Sequence, residues 1–403
     1  MYAMKFDSKT RIRALLWLPI IVLSLSGLVS TGSLNILPAE AVFEVSLAAC
    51  ILALARLPKR KPAAIALIAA AYVTGSAVIA IYIRNANPLD FLQAYKAFIY
   101  CAMLAPFVNR KIFDDKFVSN LFATLTIVFL LKYGYERFFG DGSKHSVRPT
   151  VFSENNFELI LLTLIYYRAM MFDRLSRTFW TAAVFAVVLL SGSRSAMLGI
   201  VIAAIATQAR GFKLKHIMSA GVAAPIAAAA AFYLFAERST GAGIESLDRF
   251  RFMLVFLEEI KNWSWYNYVF GTMPITPLSP SSCSSLKFWS NLFSFSDDGK
   301  CYSVILHSYL LRVIFDHGLV GLIFLSLGIN WCLKYSGYGL KDRLVVLGVL
   351  VSSALSVSSF NNIFCALSLL IYYASPVEET AGQRSSHPKL AARNPLSEQQ
   401  QSS

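Results

Sequence analysis

The sequence predicts an all-α polytopic membrane protein with about twelve transmembrane helices. Of its 403 residues, 56% are hydrophobic and only 15% are charged, a composition outside the range of ordinary soluble domains. Apolar runs of about 20 residues, the length needed to cross a hydrocarbon core, recur along the chain. Because lipid offers backbone groups no hydrogen-bond partners, such runs are expected to be helices. No stretch resembles a separate soluble domain, so residues 1–375 are predicted to form one transmembrane domain.

Hydropathy places eight single spans and two hairpins along the chain. The single spans are predicted at residues 15–33, 36–55, 63–83, 89–108, 117–133, 157–172, 217–236 and 319–335. Two further apolar stretches, 179–209 and 344–374, are too long for one span and short for two. Arginine clusters flank the first stretch, so it is expected to enter the membrane and return, holding Arg194 near or below the outer interface. The second stretch is expected to turn near Ser359, Asn361 and Asn362.

The distribution of Lys and Arg explains the net charge of +14 by topology rather than by nucleic-acid binding. The basic clusters fall in every second predicted loop, at residues 5–13, 56–61, 110–116, 174–177, 210–215 and 334–343. The positive-inside rule places these loops and both termini in the cytoplasm. The first segment also has features of a signal peptide, since Ala39-Glu40-Ala41 imitates a cleavage site. An uncleaved first span is the preferred interpretation.

Two segments on the external side are long enough to carry function, residues 134–156 and 237–309. The second is rich in Ser and aromatic residues and is predicted to be a structured cap with short interfacial helices. It contains Cys283 and Cys301, whose pairing an oxidising compartment would permit. The tail, residues 376–403, is predicted to be disordered and cytoplasmic.

Arg194 is the strongest candidate for a functional residue. An ionisable group at membrane depth costs several kcal/mol unless it meets a partner or water. The functional interpretation is an anion site, because the guanidinium is a permanently charged fork that matches phosphate oxygens. The alternative is a structural arginine that reaches the headgroups or pairs with Glu40 or Glu44.

Three other external stretches carry candidate residues. Arg148 precedes Pro149, which fixes the local backbone, and Glu154 follows shortly afterwards, either as a functional carboxylate or as part of an ordinary helix start. Arg249 and Arg251 lie in an apolar, helix-like pattern where external arginines are not expected. His307 is a candidate proton-transfer group because imidazole titrates near neutral pH, and His317 competes with it for this role.

Several chemistries are not indicated. No acidic pair forms the spaced carboxylate set that a metal-assisted transferase would need beside a span, so no metal is predicted. No glycine-rich phosphate loop followed by Lys occurs, which argues against nucleotide hydrolysis. The sequence therefore predicts no cofactor.

Four stretches occur in an order that resembles the O-antigen ligase and O-antigen or exopolysaccharide polymerase family. "SGSRSAMLGI" at 191–200 resembles the family's Ser-x-Ser-Arg-Gly-Ala-x-Leu signature. "LHSYLLRVIFDHGLVGLIFL" resembles its His-Asn segment followed by Gly-Leu-x-Gly-Leu opening a span. "DRFRFMLVFLEEIKNWSWYNYVFGTMP" is similar to its loop of arginine, tryptophan and a glycine turn, and "RPTVFSENNFE" to its earlier external arginine. Together they cover residues 148–325.

The resemblance implies a GT-C-like glycosyltransferase of the bacterial inner membrane with a periplasmic active site and a large periplasmic loop, residues 237–309. Its partners would be membrane lipids, an undecaprenyl-pyrophosphate-linked oligosaccharide as donor and as acceptor, and a chain-length regulator protein. The matching arginines would bind the pyrophosphate, and His307 would act as base; these arginines are Arg148, Arg194, Arg249 and Arg251. This sequence departs from the family pattern at Ser195, in place of glycine, and at Ser308, in place of asparagine, which puts the orientation of His307 in doubt.

Three functions are consistent with this pattern. The first is a polysaccharide polymerase that joins lipid-linked repeat units without a metal, and Glu154 favours it. The second is an O-antigen ligase that transfers a finished chain to lipid A core. The third is a transporter or lipid flippase that uses Arg194 as an anion site and His307 as a proton relay, although no inverted repeat with broken helices is evident.

Overall fold

The computed structural model describes residues 7–30, 35–54, 59–140, 148–172, 175–208, 248–296, 298–355 and 357–377. In this part of the chain the regular structure is helical, apart from one isolated bridge between Pro277 and Tyr302. The helices are α1 (Ser8–Val29), α2 (Ala39–Leu54), α3 (Arg60–Ala77), α4 (Pro88–Leu104), α5 (Asp115–Phe139), α6 (Asn155–Ala169), α7 (Arg177–Ser191), α8 (Arg194–Gln208), α9 (Asp248–Ile260), α10 (Trp265–Phe270), α11 (Pro280–Ser285), α12 (Tyr309–Tyr335), α13 (Leu340–Ala354) and α14 (Ile363–Ala374). The predicted span 217–236 and nearly all of the predicted tail lie outside the described residues.

Four helices among the described residues are long and apolar enough to cross a membrane. They are Ser8–Val29, Arg60–Ile83, Asp115–Phe139 and Tyr309–Tyr335, the second of which includes a π-helical turn at Val78–Ile83. All four overlap predicted single spans, which supports the prediction of a membrane protein. The total of twelve spans and the GT-C-like fold stay predictions.

Helices α6 and α14 lie at the centre of the bundle. Every residue of α14 is buried, as is every residue of α6 except the half-buried Phe157. The two helices pack together, and Tyr372 Oη donates to the carbonyl of Leu164 at 2.9 Å. At 1.5 Å per residue, α6 is only about 22 Å long and α14 about 18 Å, less than a hydrocarbon core about 30 Å thick. A helix buried on all sides needs no polar face, and the few polar side chains of α6 lie near its two ends, apart from Thr163.

Each of the two predicted hairpins consists of two helices joined by a short turn. In the first, α7 ends at Ser191, Gly192 adopts a left-handed conformation with φ of 63°, and α8 begins at Arg194. Glycine is favoured at such a position because it has no Cβ to clash. In the second, α13 and α14 are joined by a turn that contains Ser358 and Asn361, and Asn362 caps α14 by accepting from the Phe364 amide at 2.8 Å.

The two central helices run parallel, so their C-terminal ends lie together at one end of the bundle and their N-terminal ends lie together at the other. At one end, Arg168 near the end of α6 donates from Nη2 to the carbonyl of Ser375, which follows α14, at 2.8 Å. Residues 109–113 close over the same place, since the amides of Asn109 and Ile112 donate to the carbonyls of Tyr373 and Ala374. We call this the closed end. At the other end, called the cavity end, the residues that precede α6 and α14 line a common cavity.

Basic segments gather at the closed end. Arg13 Nε donates to the carbonyl of Ile112 at 2.8 Å, and Lys59 Nζ donates to that of Asn109 at 3.3 Å. The Asn109 amide also donates to Ser336 Oγ at 3.1 Å. Four of the basic clusters predicted to be cytoplasmic are therefore next to one another in space.

A cap covers the cavity end, built from α9, α10, α11 and the turns between them. Cys283 and Cys301 form a disulfide beside a small apolar core that includes Phe252 and Leu286. The cap meets α12 through two glycines with positive φ, Gly271 and Gly318. A Cβ on Gly318 would lie 2.3 Å from the carbonyl oxygen of Val269, so only glycine fits this contact. Gly318 also interrupts α12 directly before the predicted span 319–335.

Candidate functional site

A cavity of about 390 Å³ lies at the cavity end, between the bundle and the cap. Its walls come from α2, α4, the starts of α6, α12 and α14, and residues 292–295 of the cap. The charged or titratable side chains that line it are Glu40, Asp90, Lys96, Glu154, His307 and Arg312. Two of the predicted site residues, Glu154 and His307, therefore share one cavity although 153 positions separate them in the sequence.

His307 lies two residues before α12, is exposed and lines the cavity. Its ring meets that of Phe252 in a T-shaped contact, with the ring centroids 5.1 Å apart. The backbone is fixed on the other side, where Ser308 Oγ donates to the carbonyl of Ala354 at 3.0 Å and Ser358 Oγ donates to that of His307 at 3.4 Å. Ser308 and Ser358 thus anchor the backbone beside His307 to the end of α13 and the α13–α14 turn.

His317, the competing histidine, has a different environment. It is buried, and its ring packs edge-on against Tyr95 and Phe98 at centroid distances of 4.7 and 4.6 Å. Nδ1 lies 2.8 Å from Tyr72 Oη, and Nε2 lies 3.3 Å from the carbonyl oxygen of Ala94. Since a carbonyl only accepts, Nε2 carries the proton and Nδ1 accepts from the tyrosine. Both ring nitrogens are satisfied, so His317 is a packed structural residue.

The segment that precedes α6 is joined to the α7–α8 turn. Asn156 Nδ2 donates to Glu154 Oε1 at 2.8 Å, and Asn156 Oδ1 accepts from Ser193 Oγ at 2.7 Å. Asn155 Nδ2 donates to the carbonyl of Ser191 at 3.0 Å. These bonds connect the "RPTVFSENN" and "SGSRS" motifs. Arg194, half-buried at the start of α8, is therefore close in sequence to a turn that contacts a wall of the cavity.

A buried glutamate holds the Arg148 segment in place. The Glu158 carboxylate accepts from the amides of Val151 at 3.0 Å and Phe152 at 2.7 Å, and from the hydroxyl of Tyr133. A carboxylate that accepts several hydrogen bonds tolerates burial, and here it fixes the backbone between Arg148 and Glu154. No sequence pattern indicates this role beyond the position of Glu158 at the start of the apolar run of α6.

The structure does not place the predicted arginines in the cavity wall. Arg148 and Arg194 are half-buried, and neither is among the residues that line the cavity. Arg251 is exposed on α9, next to Phe252, whose ring contacts His307. The side chain of Arg249 lies outside the described residues. Convergence of these four arginines on one diphosphate stays a prediction.

The arginine that does line the cavity is Arg312. Only 5% of it is exposed; Nη1 donates to Ser358 Oγ at 2.5 Å and Nη2 to the carbonyl of Gln93 at 3.2 Å. The α13–α14 turn is held in the same place, because the Ala97 amide donates to Asn361 Oδ1 at 2.9 Å. The argument from membrane depth that selected Arg194 could also have selected Arg312, which lies in the first turns of a spanning helix.

The second cation of the cavity, Lys96, is already neutralised. Its Nζ lies 2.7 Å from Glu44 Oε1, which also accepts from Tyr100 Oη at 3.0 Å. The acidic side chains are bonded to neutral donors instead: Glu40 accepts from Ser153 Oγ at 3.2 Å, and Asp90 accepts from Ser294 Oγ at 2.6 Å. The cavity thus combines oxygen acceptors, one exposed imidazole and one buried guanidinium.

Comparison of the chain with models of protein families and with curated proteins gave no match. The resemblance to the O-antigen ligase and polymerase family therefore rests on the motifs alone. What the structure adds is the proximity of three of those motifs around one cavity.

Proposed function

We propose that the chain is a membrane glycosyltransferase, a polysaccharide polymerase that joins undecaprenyl-pyrophosphate-linked repeat units at the periplasmic face of the inner membrane. The observation that carries the proposal is the cavity lined by both His307 and Glu154, beside the turn that leads into Arg194. Its position supports a periplasmic site, since the basic clusters lie at the opposite end of the bundle.

In this reaction the acceptor sugar hydroxyl attacks the anomeric carbon of the donor glycan. A bond forms between that oxygen and the anomeric carbon, the bond from the anomeric carbon to the phosphate oxygen breaks, and undecaprenyl pyrophosphate leaves. The hydroxyl proton passes to His307, whose imidazole suits proton transfer at neutral pH. The exposed position of His307 leaves it accessible to a water-soluble acceptor group.

The leaving pyrophosphate gains negative charge as the glycosidic bond breaks. Fixed arginines stabilise that charge more in the transition state than in the ground state, and such stabilisation accelerates the reaction. Arg194, at the first position of α8, also has the positive end of a helix dipole behind it. In this proposal Arg148, Arg194 and the Arg249–Arg251 pair supply the positive charge, and the step needs no metal.

The test is a transfer assay with the full chain purified into proteoliposomes. The substrate is an undecaprenyl-pyrophosphate-linked oligosaccharide, and products are separated by size. A ladder of lipid-linked products supports the polymerase, whereas transfer only to added lipid A core would identify a ligase. Movement of the substrate across the bilayer without any new glycosidic bond would replace the enzyme with a transporter.

A further inference from the structure

The cavity end contains a buried arginine, Arg312, whose hydrogen-bond partners are neutral groups. Arg312 makes no ion pair with any carboxylate in the part of the chain that the structure describes, and its Nε has no hydrogen-bond partner there. The acid one turn along the same helix, Asp316, accepts instead from Ser303 Oγ. Both hydrogen-bond partners of Arg312, Ser358 Oγ and the Gln93 carbonyl, are neutral. Asp316 acts on Arg312 electrostatically but forms no ion pair with it. A buried charge that lacks a direct ion pair costs several kcal/mol, so an anionic group bound in the cavity would stabilise it.

The surrounding backbone favours an anion in the same place. Helices α6 and α14 are 15 and 12 residues long, and both begin at the cavity, where Glu154 and Asn362 line its wall. The N-terminal end of a helix carries a partial positive charge that attracts anions. The dipoles of two buried helices and the Arg312 guanidinium therefore act in the same direction.

The rest of the cavity indicates what kind of anion fits. Three carboxylates line it, Glu40, Asp90 and Glu154, together with the amide side chains of Asn361 and Asn362. A diphosphate would bring two or more negative charges against these carboxylates. A sugar with a single acidic substituent suits the cavity better, because its hydroxyls can donate to the carboxylates and amide oxygens. The volume of about 390 Å³ lies in the range of roughly 300–1,000 Å³ typical of small-molecule sites.

From these observations we infer that the cavity is a saccharide subsite in which Arg312 binds a carboxylate, so that the protein selects a glycan containing a uronic acid. Planar carboxylates match the guanidinium fork, and the bond is strengthened by burial. The inference rests on the proposed function for its role in a reaction, where the subsite would hold the acidic sugar beside His307. Binding itself can be measured without turnover.

The experiment uses the full chain in detergent and two matched probes, methyl glucuronide and methyl glucoside, which differ in a carboxylate against a hydroxymethyl group. Saturation-transfer NMR titrations give both dissociation constants. We expect the glucuronide to bind at least about tenfold more tightly, and Arg312→Gln to remove that preference while changing glucoside binding less than about twofold. Arg312→Lys should retain part of the preference. The control is Arg84→Gln, because Arg84 bonds to Pro274 and Thr276 outside the cavity and should leave it intact.

Competition on the unmodified protein covers the case in which Arg312 variants fail to fold. Methyl glucoside and inorganic pyrophosphate are each titrated against bound glucuronide. Equal binding of the two glycosides, or displacement of the glucuronide by pyrophosphate at lower concentration than by free glucuronide, would overturn the inference. Failure of the proposed function is seen separately. If glycosyl transfer occurs but the glucuronide is not preferred over the glucoside, only the proposed carboxylate subsite is contradicted. If the glucuronide is preferred but no glycosyl transfer occurs, only the proposed glycosyltransferase activity is contradicted.

Discussion

The two central helices, α6 and α14, begin in one environment and finish in another. At the closed end the carbonyls of Tyr373, Ala374 and Ser375 all accept hydrogen bonds from protein donors. At the cavity end the residues before the helices line the cavity, and the one before α6, Glu154, is acidic. A bundle held together by the first end can tolerate poorly paired groups at the second, and such groups concentrate where proteins bind ligands.

The two buried arginines show this difference most directly. Arg168 is 1% exposed, and its guanidinium lies over the rings of Phe172 and Tyr338 at 4.3 and 5.5 Å. It also donates to Ser375 at the C-terminal end of α14, where a cation is favourable. Arg312 is nearly as buried but lies at the N-terminal ends of the same helices, where a cation is unfavourable. The first arginine completes the fold, whereas the second is suited to a ligand.

Two glutamates four residues apart make the same contrast. Glu154 is exposed and lines the cavity. Glu158 is fully buried and binds two backbone amides. The Glu154 carboxylate faces the cavity, whereas the Glu158 carboxylate binds the backbone of the segment that precedes Glu154. Substitutions at the four positions, two arginines and two glutamates, should therefore separate activity from stability.

The largest effect is expected for His307→Gln. Loss of the base should lower turnover of the lipid-linked oligosaccharide by about 10²–10⁴-fold, the usual contribution of general base catalysis. Because His307 is exposed, the melting temperature should change little. His317→Gln is the matched control, expected to lower the melting temperature through its buried hydrogen bonds. Full turnover by His307→Gln would remove the histidine from the mechanism.

Arg168→Met should act on stability instead. The change removes two hydrogen bonds to Ser375 and two cation–π contacts, and we expect the free energy of unfolding to fall by about 1–3 kcal/mol. Unfolding followed by circular dichroism in detergent measures it, and turnover per folded molecule should be unchanged. Arg343→Met, at a half-buried arginine bonded to Asn330, is the control with an expected change below about 0.5 kcal/mol. A fall in turnover per folded molecule would contradict the proposed difference between the closed end, which supports stability, and the cavity end, which supports activity.

Glu158→Gln should have an intermediate effect on both quantities. A glutamine retains one acceptor oxygen. If that oxygen takes the Oε2 position, the Val151 and Phe152 amides both keep an acceptor but the Tyr133 hydroxyl loses its own; in the other orientation the Phe152 amide loses its partner, and either loss costs about 1–2 kcal/mol. Turnover should fall a few-fold because the segment between Arg148 and Glu154 loses its support. The control is Glu258→Gln on the exposed side of the cap, where the ion pair with Lys261 spans 3.9 Å. An unchanged melting temperature for Glu158→Gln would show that the buried carboxylate does not hold this segment.

Local pattern made most of the described helices predictable. Apolar runs predicted α1, α3, α5 and the part of α12 that follows Gly318. Gly192 indicated the first hairpin turn. The start of α12 was not predicted, because Arg312, Asp316 and His317 lower its hydropathy and Gly318 breaks the helix. Those residues are helical because the cap packs on them, with the Thr272 amide donating to the Phe315 carbonyl at 2.8 Å. A hydropathy pattern contains no information about that contact.

The site was predictable only where a single residue carried the signal. His307 and Glu154 were selected by position and by resemblance, and both line the cavity. The importance of Arg312 depends instead on partners distant in sequence, Gln93 and Ser358, and Asn361 reaches the Ala97 amide across 264 positions. Such pairings follow from the packing of α4 against the α13–α14 turn, which one sequence does not encode in any local pattern.

The smallest effect is expected for Glu154→Gln, which tests whether the cavity holds one base or two. The amide keeps an oxygen that can accept from Asn156 Nδ2, so the connection to Ser193 and the α7–α8 turn should survive. If His307 takes the proton, removing the negative charge of Glu154 should change turnover by less than about threefold, and the melting temperature should not move. Turnover measured from pH 5 to 9 separates the alternatives, since a carboxylate base would cause a loss of about 10²-fold or more at every pH. That result would transfer the base role from His307 to Glu154 in the segment before α6, and would leave His307 to bind the acceptor.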